Sequence, residues 1–390
     1  MNFEEEGMDF RLVHRAIVVF TAVLGFLIML AATPVWSADI SELERRIDIL
    51  SDELDQVKSS GGSGLAQRTT VHGYGETHWK ASEGSDTSVD QHRFVVGVHS
   101  KITDWIHLNM EMDFEHAMSE LEFEFGHLDF LISPSMNFRV GTVLMPMGNL
   151  NEFHEPNNFY TVERPDFHKN LMPSSWQQAG GGIYGSRGDY SYRLYLVNAV
   201  SALDESRKFR STDFIRKGRS QITGIAVQNM AVTGRIERKT PGGQAGISFY
   251  TGGASGDYIA EDGQTSILIA DYKTKRGPFD LDFGIFKGWV EDTKEMNAQC
   301  GAVAGIACDS TIPKSAFGLL GTLAVHLPEL MQKKTIHNVI PYIQYQKVRP
   351  NDVNGDGAAY GNGKNYDVVT IGAAYKPHPQ VALKAGYRTN

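Results

Sequence analysis

The residues from Trp105 to Glu115 limit the possible folds more than any other stretch of the chain. Ile106, Leu108, Met110, Met112 and Phe114 alternate with His107, Asn109, Glu111, Asp113 and Glu115. A period of two is that of an extended strand, whose successive side chains point to opposite faces. One face is apolar and the other carries three carboxylates. The same alternation sets His72, Tyr74, Glu76, His78 and Lys80 on one face of 71–80, and Leu121, Phe123 and Phe125 against Glu120, Glu122 and Glu124. Carboxylates turned into a dry core would be very costly. In a membrane barrel the apolar face meets lipid and the charged face meets water, so the cost does not arise.

Strands of this kind are expected near 70–80, 91–102, 105–116, 119–132, 137–146, 178–186, 189–199, 226–239, 243–252, 265–275, 279–290, 315–327, 335–347, 365–375 and 380–389. Short turns at Thr103–Asp104, Ser133–Met136, Ser186–Gly188 and Thr240–Gly242 alternate with long connections at 147–177, 200–225, 291–314 and 348–364. That alternation is the pattern of an outer-membrane barrel, with short turns inside the cell envelope and long loops outside. The expected fold class is an all-β membrane protein, an antiparallel transmembrane β-barrel of about 16 strands. Fifteen strands are visible and such barrels have an even number, so the last strand is expected to be missing, with Asn390 on the outer side.

Composition agrees. The 390 residues are 41% hydrophobic, too polar for a bundle of membrane helices, and the net charge of −9 argues against a nucleic-acid partner. Forty glycines suit turns and crowded walls, and 20 Phe with 15 Tyr suit aromatic girdles.

The N-terminus reads as an export segment. Arg11, His14 and Arg15 precede an apolar run from Ala16 to Leu30, and Val35 and Ser37 fit cleavage after Ser37. An uncleaved membrane anchor is the alternative. Ile40, Leu43, Ile47, Leu50, Leu54 and Val57 then form a heptad seam among charged residues, read as an oligomeric coil with a lone amphipathic helix as the alternative. The expected organisation is a signal peptide over 1–37, a periplasmic α-helical coiled coil over 39–58, a linker over 59–69 and the barrel over 70–390. Exported to an oxidising compartment, Cys300 and Cys308 are expected to form a disulfide across a small, flexible loop.

The run Gly141-Thr-Val-Leu-Met-Pro146-Met-Gly148, followed by Asn151-Glu152, His154-Glu155-Pro156, Phe159-Tyr160 and Val162-Glu163-Arg164-Pro165, resembles the phosphate-selective porin family. Met172-Pro173, Trp176, Gly180-Gly181-Gly182 and Gly234-Arg235 continue the resemblance, which is dense over 138–185 and spans roughly 70–390. It implies a sixteen-stranded trimeric barrel in the outer membrane with an inward-folded third loop. The function expected is passive diffusion of small hydrophilic solutes, anions such as phosphate among them, without catalysis or cofactor. A sheath barrel around a periplasmic redox partner, or a structural or adhesin barrel, is the competing reading.

By strand count 147–177 is the third outer loop, and with Pro146 at its start it carries Pro156, Pro165 and Pro173 with Phe153, Phe159, Tyr160 and Trp176, so it is built to pack. Folded inward it would form the constriction, with Asn151, Glu152, His154, Glu155, Glu163, Arg164, His168 and Lys169 available to the solute or to one another. His154, Glu155 and His168 lack a recognised metal-ligand spacing, and no metal is expected. Alternation points Arg93, Arg139, Arg193 and Arg235 into the lumen as anion contacts, together with Lys101 and Lys273. Arg207, Lys208, Arg210, Arg216, Lys217 and Arg219 would gather anions at the mouth, bind lipopolysaccharide phosphates or form a solvated charge run. Glu111, Asp113, Glu115, Glu122 and Glu124 oppose them, so the sign of selectivity depends on where the third loop lies. Asp352-Val-Asn354-Gly-Asp356-Gly357 matches the first half of a calcium loop, but Gly363 stands where a chelating acid is needed, and an Asn/Gly/Asp turn is the other reading.

Overall fold

The computed structural model describes residues 68–389 except 84–85, 204–208, 220–228, 255–260, 300–310, 334, 336 and 357–363. The signal peptide, the coil, most of the linker, Arg207, Lys208, Cys300 and Cys308 lie outside the described residues.

All fifteen strands expected from the alternation are present, in one antiparallel sheet whose spatial order follows the sequence from β1 to β15. They are β1 (Thr69–Lys80), β2 (Ser88–Lys101), β3 (Ile106–Glu115), β4 (Glu120–Ser133), β5 (Met136–Leu144), β6 (Gln177–Arg187), β7 (Tyr190–Asn198), β8 (Met230–Thr240), β9 (Gly243–Gly252), β10 (Thr265–Arg276), β11 (Phe279–Val290), β12 (Ser315–Val325), β13 (Asn338–Val353), β14 (Tyr366–His378) and β15 (Val381–Thr389). Among the described residues only next-neighbour strands pair, as expected of an up-and-down sheet.

The two faces separate as the alternation demands. Phe94, Leu121, Phe138, Leu196, Ile236, Phe249, Ile343, Ile371 and Leu383 are exposed on the outer face, while Glu111, Asp113, Glu124, Asp129, Arg235 and Asp271 are buried on the inner one. Water would not tolerate so continuous an apolar belt, whereas lipid favours it. The connections divide by length between the two ends. At one end, beside the shorter 81–87 and 116–119, they span 145–176, 199–229, 253–264, 291–314 and 354–365; at the other most are turns, such as 134–135, 188–189 and 241–242.

The clearest departure from expectation is β13, which runs on to Val353. Asp352 and Val353 of the candidate calcium loop are therefore strand, and the Asp352 carboxylate takes the Lys287 ammonium at 2.6 Å. Asp356 is held by Lys314 at 3.1 Å. Both acids are committed to lysines, which favours the turn reading over calcium.

Candidate functional site: the loop inside the barrel

The connection 145–176 between β5 and β6, here L3, is packed against the inner wall. Its contacts reach strands from both ends of the sheet order. Gly148 N–H donates to Ser248 Oγ of β9 at 3.1 Å, Asn149 to Asp282 of β11 at 2.8 Å, and the Phe167 N–H to Gln346 of β13 at 2.9 Å. Lys80 of β1 lies 2.6 Å from Glu163, and Lys384 of β15 donates to the Phe159 carbonyl at 2.8 Å. A single loop can touch both edge strands and the middle only if the sheet curls around it.

Asn151 closes the base of the loop. Its side-chain amide donates to the carbonyls of Met145 at 2.8 Å and Trp176 at 2.9 Å, and its oxygen accepts the Trp176 N–H at 2.8 Å. The Met145 N–H also donates to the Trp176 carbonyl at 2.8 Å, so both ends of L3 are held together by one buried side chain and one backbone bond. Asn151 is therefore committed to the loop and enclosed within it.

One flank of L3 is apolar. Met145, Met147, Phe167, Leu171, Met172 and Trp176 join Tyr250, Ile267, Ile269, Phe286, Leu320 and Val348 of the wall in a single buried cluster. Each such side chain fully buried contributes about 1.5–3 kcal/mol. The wall makes room with glycine. A Cβ on Gly284 would meet the Phe167 ring at 2.9 Å, and one on Gly318 would meet the same ring at 3.1 Å and run into Leu171. Phe286, between Gly284 and Gly288, packs edge-on to Phe167 at 6.4 Å between centroids. Helix α1 (Asp166–Lys169) carries Phe167 into this groove.

The other flank is ionic. Glu152 pairs with Arg193 at 3.0 Å, and His154 stands 3.5 Å from Glu111. Glu163 gathers His78 at 3.1 Å, Lys80 at 2.6 Å and Lys169 at 3.2 Å. Asp166 pairs with Arg388 at 2.5 Å. The His78 imidazole and the Lys80 ammonium hold the Glu163 carboxyl well below the usual carboxylate range, against the upward push of burial. Burial pushes Glu152 up, opposed by Arg193 and Arg139. It lowers Arg164 to about 10, with the Arg93 charge adding to the effect. It lowers His168 to about 3, so that imidazole is neutral. Arg164 donates to Ser175 at 3.2 Å, while Glu155 is exposed and accepts from Asn158 at 2.7 Å. His154 and His168 are buried. Of the eight loop residues singled out, Asn151, His154 and His168 are thus enclosed, Glu152 and Glu163 are bound to the wall, and Glu155 is left open.

The four lumen arginines project inward, and each meets carboxylates there. Arg93 lies 3.0 Å from Glu115 and 3.4 Å from Asp113 and Glu76; Arg139 lies 2.7 Å from Asp129. Arg193 reaches Glu237 at 2.6 Å as well as Glu152, and Arg235 reaches Asp271 at 2.6 Å and Glu237 at 2.7 Å. Rows of opposite sign do not face each other across a gap; they interleave. The basic residues of the connection 199–229, here L4, are also engaged. Arg210 pairs with Asp213, Arg216 donates to Asn170 at 2.9 Å, and Arg219 donates to the Ser174 carbonyl at 2.6 Å and lies 3.3 Å from Glu122. Lys217 remains exposed. L4 thus sits on L3, with Phe209, Phe214 and Ile215 joining the same apolar cluster.

The glycine groove was missed in the sequence. Its signal is that 265–270 and 315–324 are apolar or small on both faces, which suits strands covered on both sides rather than strands facing water.

No protein-family model matches the chain. A protein of Aquifex aeolicus (strain VF5), described as uncharacterized, is 29% identical over 332 residues, covering 82% of this chain and 74% of that one. Among solved structures, Salmonella typhi OmpF in complex with daunomycin superposes with a TM-score of 0.54 at 11% identity, covering 83% of this chain and 90% of that chain. With its apolar exterior, charged interior and single antiparallel sheet, the chain is an antiparallel transmembrane β-barrel of general porin architecture.

Proposed function

We propose that this protein is an outer-membrane porin, a passive channel for small hydrophilic solutes, in which L3 sets the constriction. The observation that carries the proposal is the long loop packed inside a barrel whose inner wall is ionic where the loop's apolar anchors end. A wall of interleaved carboxylates and guanidiniums is useful to a water-filled passage and wasteful elsewhere. A trimer anchored by a periplasmic coil, in contact with lipid and lipopolysaccharide, completes the reading. A sheath around a redox partner needs an empty lumen and is disfavoured by the inward loop. A closed structural barrel is the second reading, favoured by the apolar cluster that L3 and L4 build inside the wall. Planar-bilayer recording of the purified protein separates them: stepwise ohmic conductance supports the channel, and its absence at every voltage supports the closed barrel.

Selectivity is the finer part of the proposal. The likeness of 138–185 to phosphate-selective porins supports anions such as phosphate. The charge pairing supports only a slight preference, because Arg93, Arg139, Arg193 and Arg235 each spend their charge on nearby carboxylates. Reversal potentials in a salt gradient should lie near zero and tilt toward anions. Arg193→Ala leaves Glu152 and Glu237 without their shared cation and should move the tilt toward cations. A strong cation preference in the unaltered protein would remove the anion reading.

A further inference from the structure

At the end of the barrel that carries the long connections, three histidines and a set of carboxylates crowd one corner. The turn 116–119 between β3 and β4 begins with His116, Ala117 and Met118, at φ of 50°, 54° and 72°. Three successive non-glycine residues in the left-handed region are costly and persist only where their surroundings hold them. Here the His116 N–H donates to the His92 carbonyl at 3.1 Å and the Ala117 N–H to the Gln91 carbonyl at 3.0 Å, so the turn is bent over β2. β2 is itself bulged at this height: Glu76 pairs with Arg93 and His78 with Asp90, so Gln91 and His92 together oppose Thr77. Bulges at barrel rims commonly re-aim a side chain.

The result is convergence on one carboxylate. His92 Nδ1 lies 3.2 Å from Asp90 Oδ2, and His116 Nδ1 lies 2.9 Å from the same oxygen. A zinc ion held tetrahedrally at about 2.0–2.1 Å from nitrogen and oxygen donors keeps them about 3.3 Å apart. The two nitrogen–oxygen distances already approach that, and all three donor atoms lie within 4.8 Å of one another, so an ion could draw them together in place of the protons now shared within the cluster. Among the described residues two sets of three metal-ligating side chains bring their donor atoms within 4.8 Å of one another, and both contain His116; the other set is Glu115, His116 and Glu120. Neighbouring carboxylates would raise the local concentration of cations. His78 stacks on His92 with ring centroids 4.3 Å apart, which fixes the ring plane.

We propose that Asp90, His92 and His116 form a binding site for a divalent transition-metal ion, with Zn2+ as the type ion and a fourth position left to water. Two imidazoles and one carboxylate suit borderline ions of the Zn2+, Co2+ and Ni2+ class rather than Ca2+ or Mg2+, which take mainly oxygen. The proposal does not depend on whether the barrel conducts.

The test is calorimetric titration of the full chain, free of any affinity tag and in detergent micelles, with ZnCl2, alongside Co2+ absorption spectra. A single saturating site is expected, with visible Co2+ bands of four-coordinate intensity. His92→Ala combined with His116→Ala should weaken binding about tenfold or more. Asp90→Asn, which keeps the shape of the side chain, should do the same and decides the matter should the double variant fail to fold. His337→Ala, at a histidine on the opposite end of the barrel, should leave binding unchanged. Absence of binding at about 1 mM Zn2+, or affinity unaffected by Asp90→Asn, would overturn the proposal. So would a loss confined to Glu120→Gln, which would assign the ion to the other set.

Discussion

The two flanks of L3 meet the same wall by opposite means. Toward β9–β13 the loop buries Met147, Phe167, Leu171 and Met172 against Ile267, Ile269, Phe286 and Leu320. Toward β1, β3 and β7 it offers Glu163, His154 and Glu152 to Lys80, Glu111 and Arg193. The apolar flank excludes water and supplies most of the attachment, since burial scales with area and needs no exact angle. Of these contacts the Glu163–Lys80 pair retains access to water, and pairs of that kind contribute about 0–1 kcal/mol each. The contacts of this flank orient the loop and gather its charged groups against β1, β3 and β7. A barrel can therefore hold a loop firmly inside its lumen through a mainly apolar flank while the ion pairs gather on the other.

The apolar flank is the place to break this arrangement. Phe167→Ala empties the groove above Gly284 and Gly318 and should cost about 3–5 kcal/mol. Urea unfolding followed by gel mobility would show the loss, and channel recordings should turn from steady to fluctuating. A variant as stable and as quiet as the original would show that the glycine groove does not hold the loop.

A smaller loss is expected at the base. Asn151→Ala leaves the Trp176 N–H and the Met145 and Trp176 carbonyls short of partners in a buried setting, at about 1–3 kcal/mol for each unsatisfied group. The backbone bond between Met145 and Trp176 and relaxation of the loop limit the total to about 2–3 kcal/mol. Proteolysis within L3 should become faster while the barrel itself stays intact, so the comparison between rate of nicking and global unfolding isolates the loop.

The smallest effect belongs to the ionic flank. Glu163→Gln removes one charge shared by His78, Lys80 and Lys169 and should lower stability by less than about 1 kcal/mol. Its pH dependence has a definite sign. The Glu163 carboxyl is held below its free value by the His78 imidazole, so its stabilisation is complete above about pH 4.3 and declines as pH falls toward the depressed folded value. The gap between the original and the Gln variant should narrow below that point; a gap that widens in acid would mean that the tether is not ionic.

Much of this was legible in the chain. Alternation of Ile106 to Phe114 against His107 to Glu115 depends only on the two-residue repeat of a strand, and the same local rule placed all fifteen strands. Prolines and aromatics marked 147–177 as a packing loop for an equally local reason. The partners of that loop were not legible. Phe167 rests on Gly284 and Gly318, more than a hundred residues away, and nothing near Phe167 encodes those glycines. Likewise the inward direction of Arg93, Arg139, Arg193 and Arg235 followed from strand parity, but their neutralisation did not, because parity gives a direction and not a neighbour. The convergence of His92 and His116 on Asp90 depends on a bulge in β2 and a left-handed turn after β3. Periodicity describes the regular part of a chain, so it determined the wall; the irregular backbone and the long-range contacts that decide where charge and ligands can sit exist only once the sheet has curled and brought its strands together.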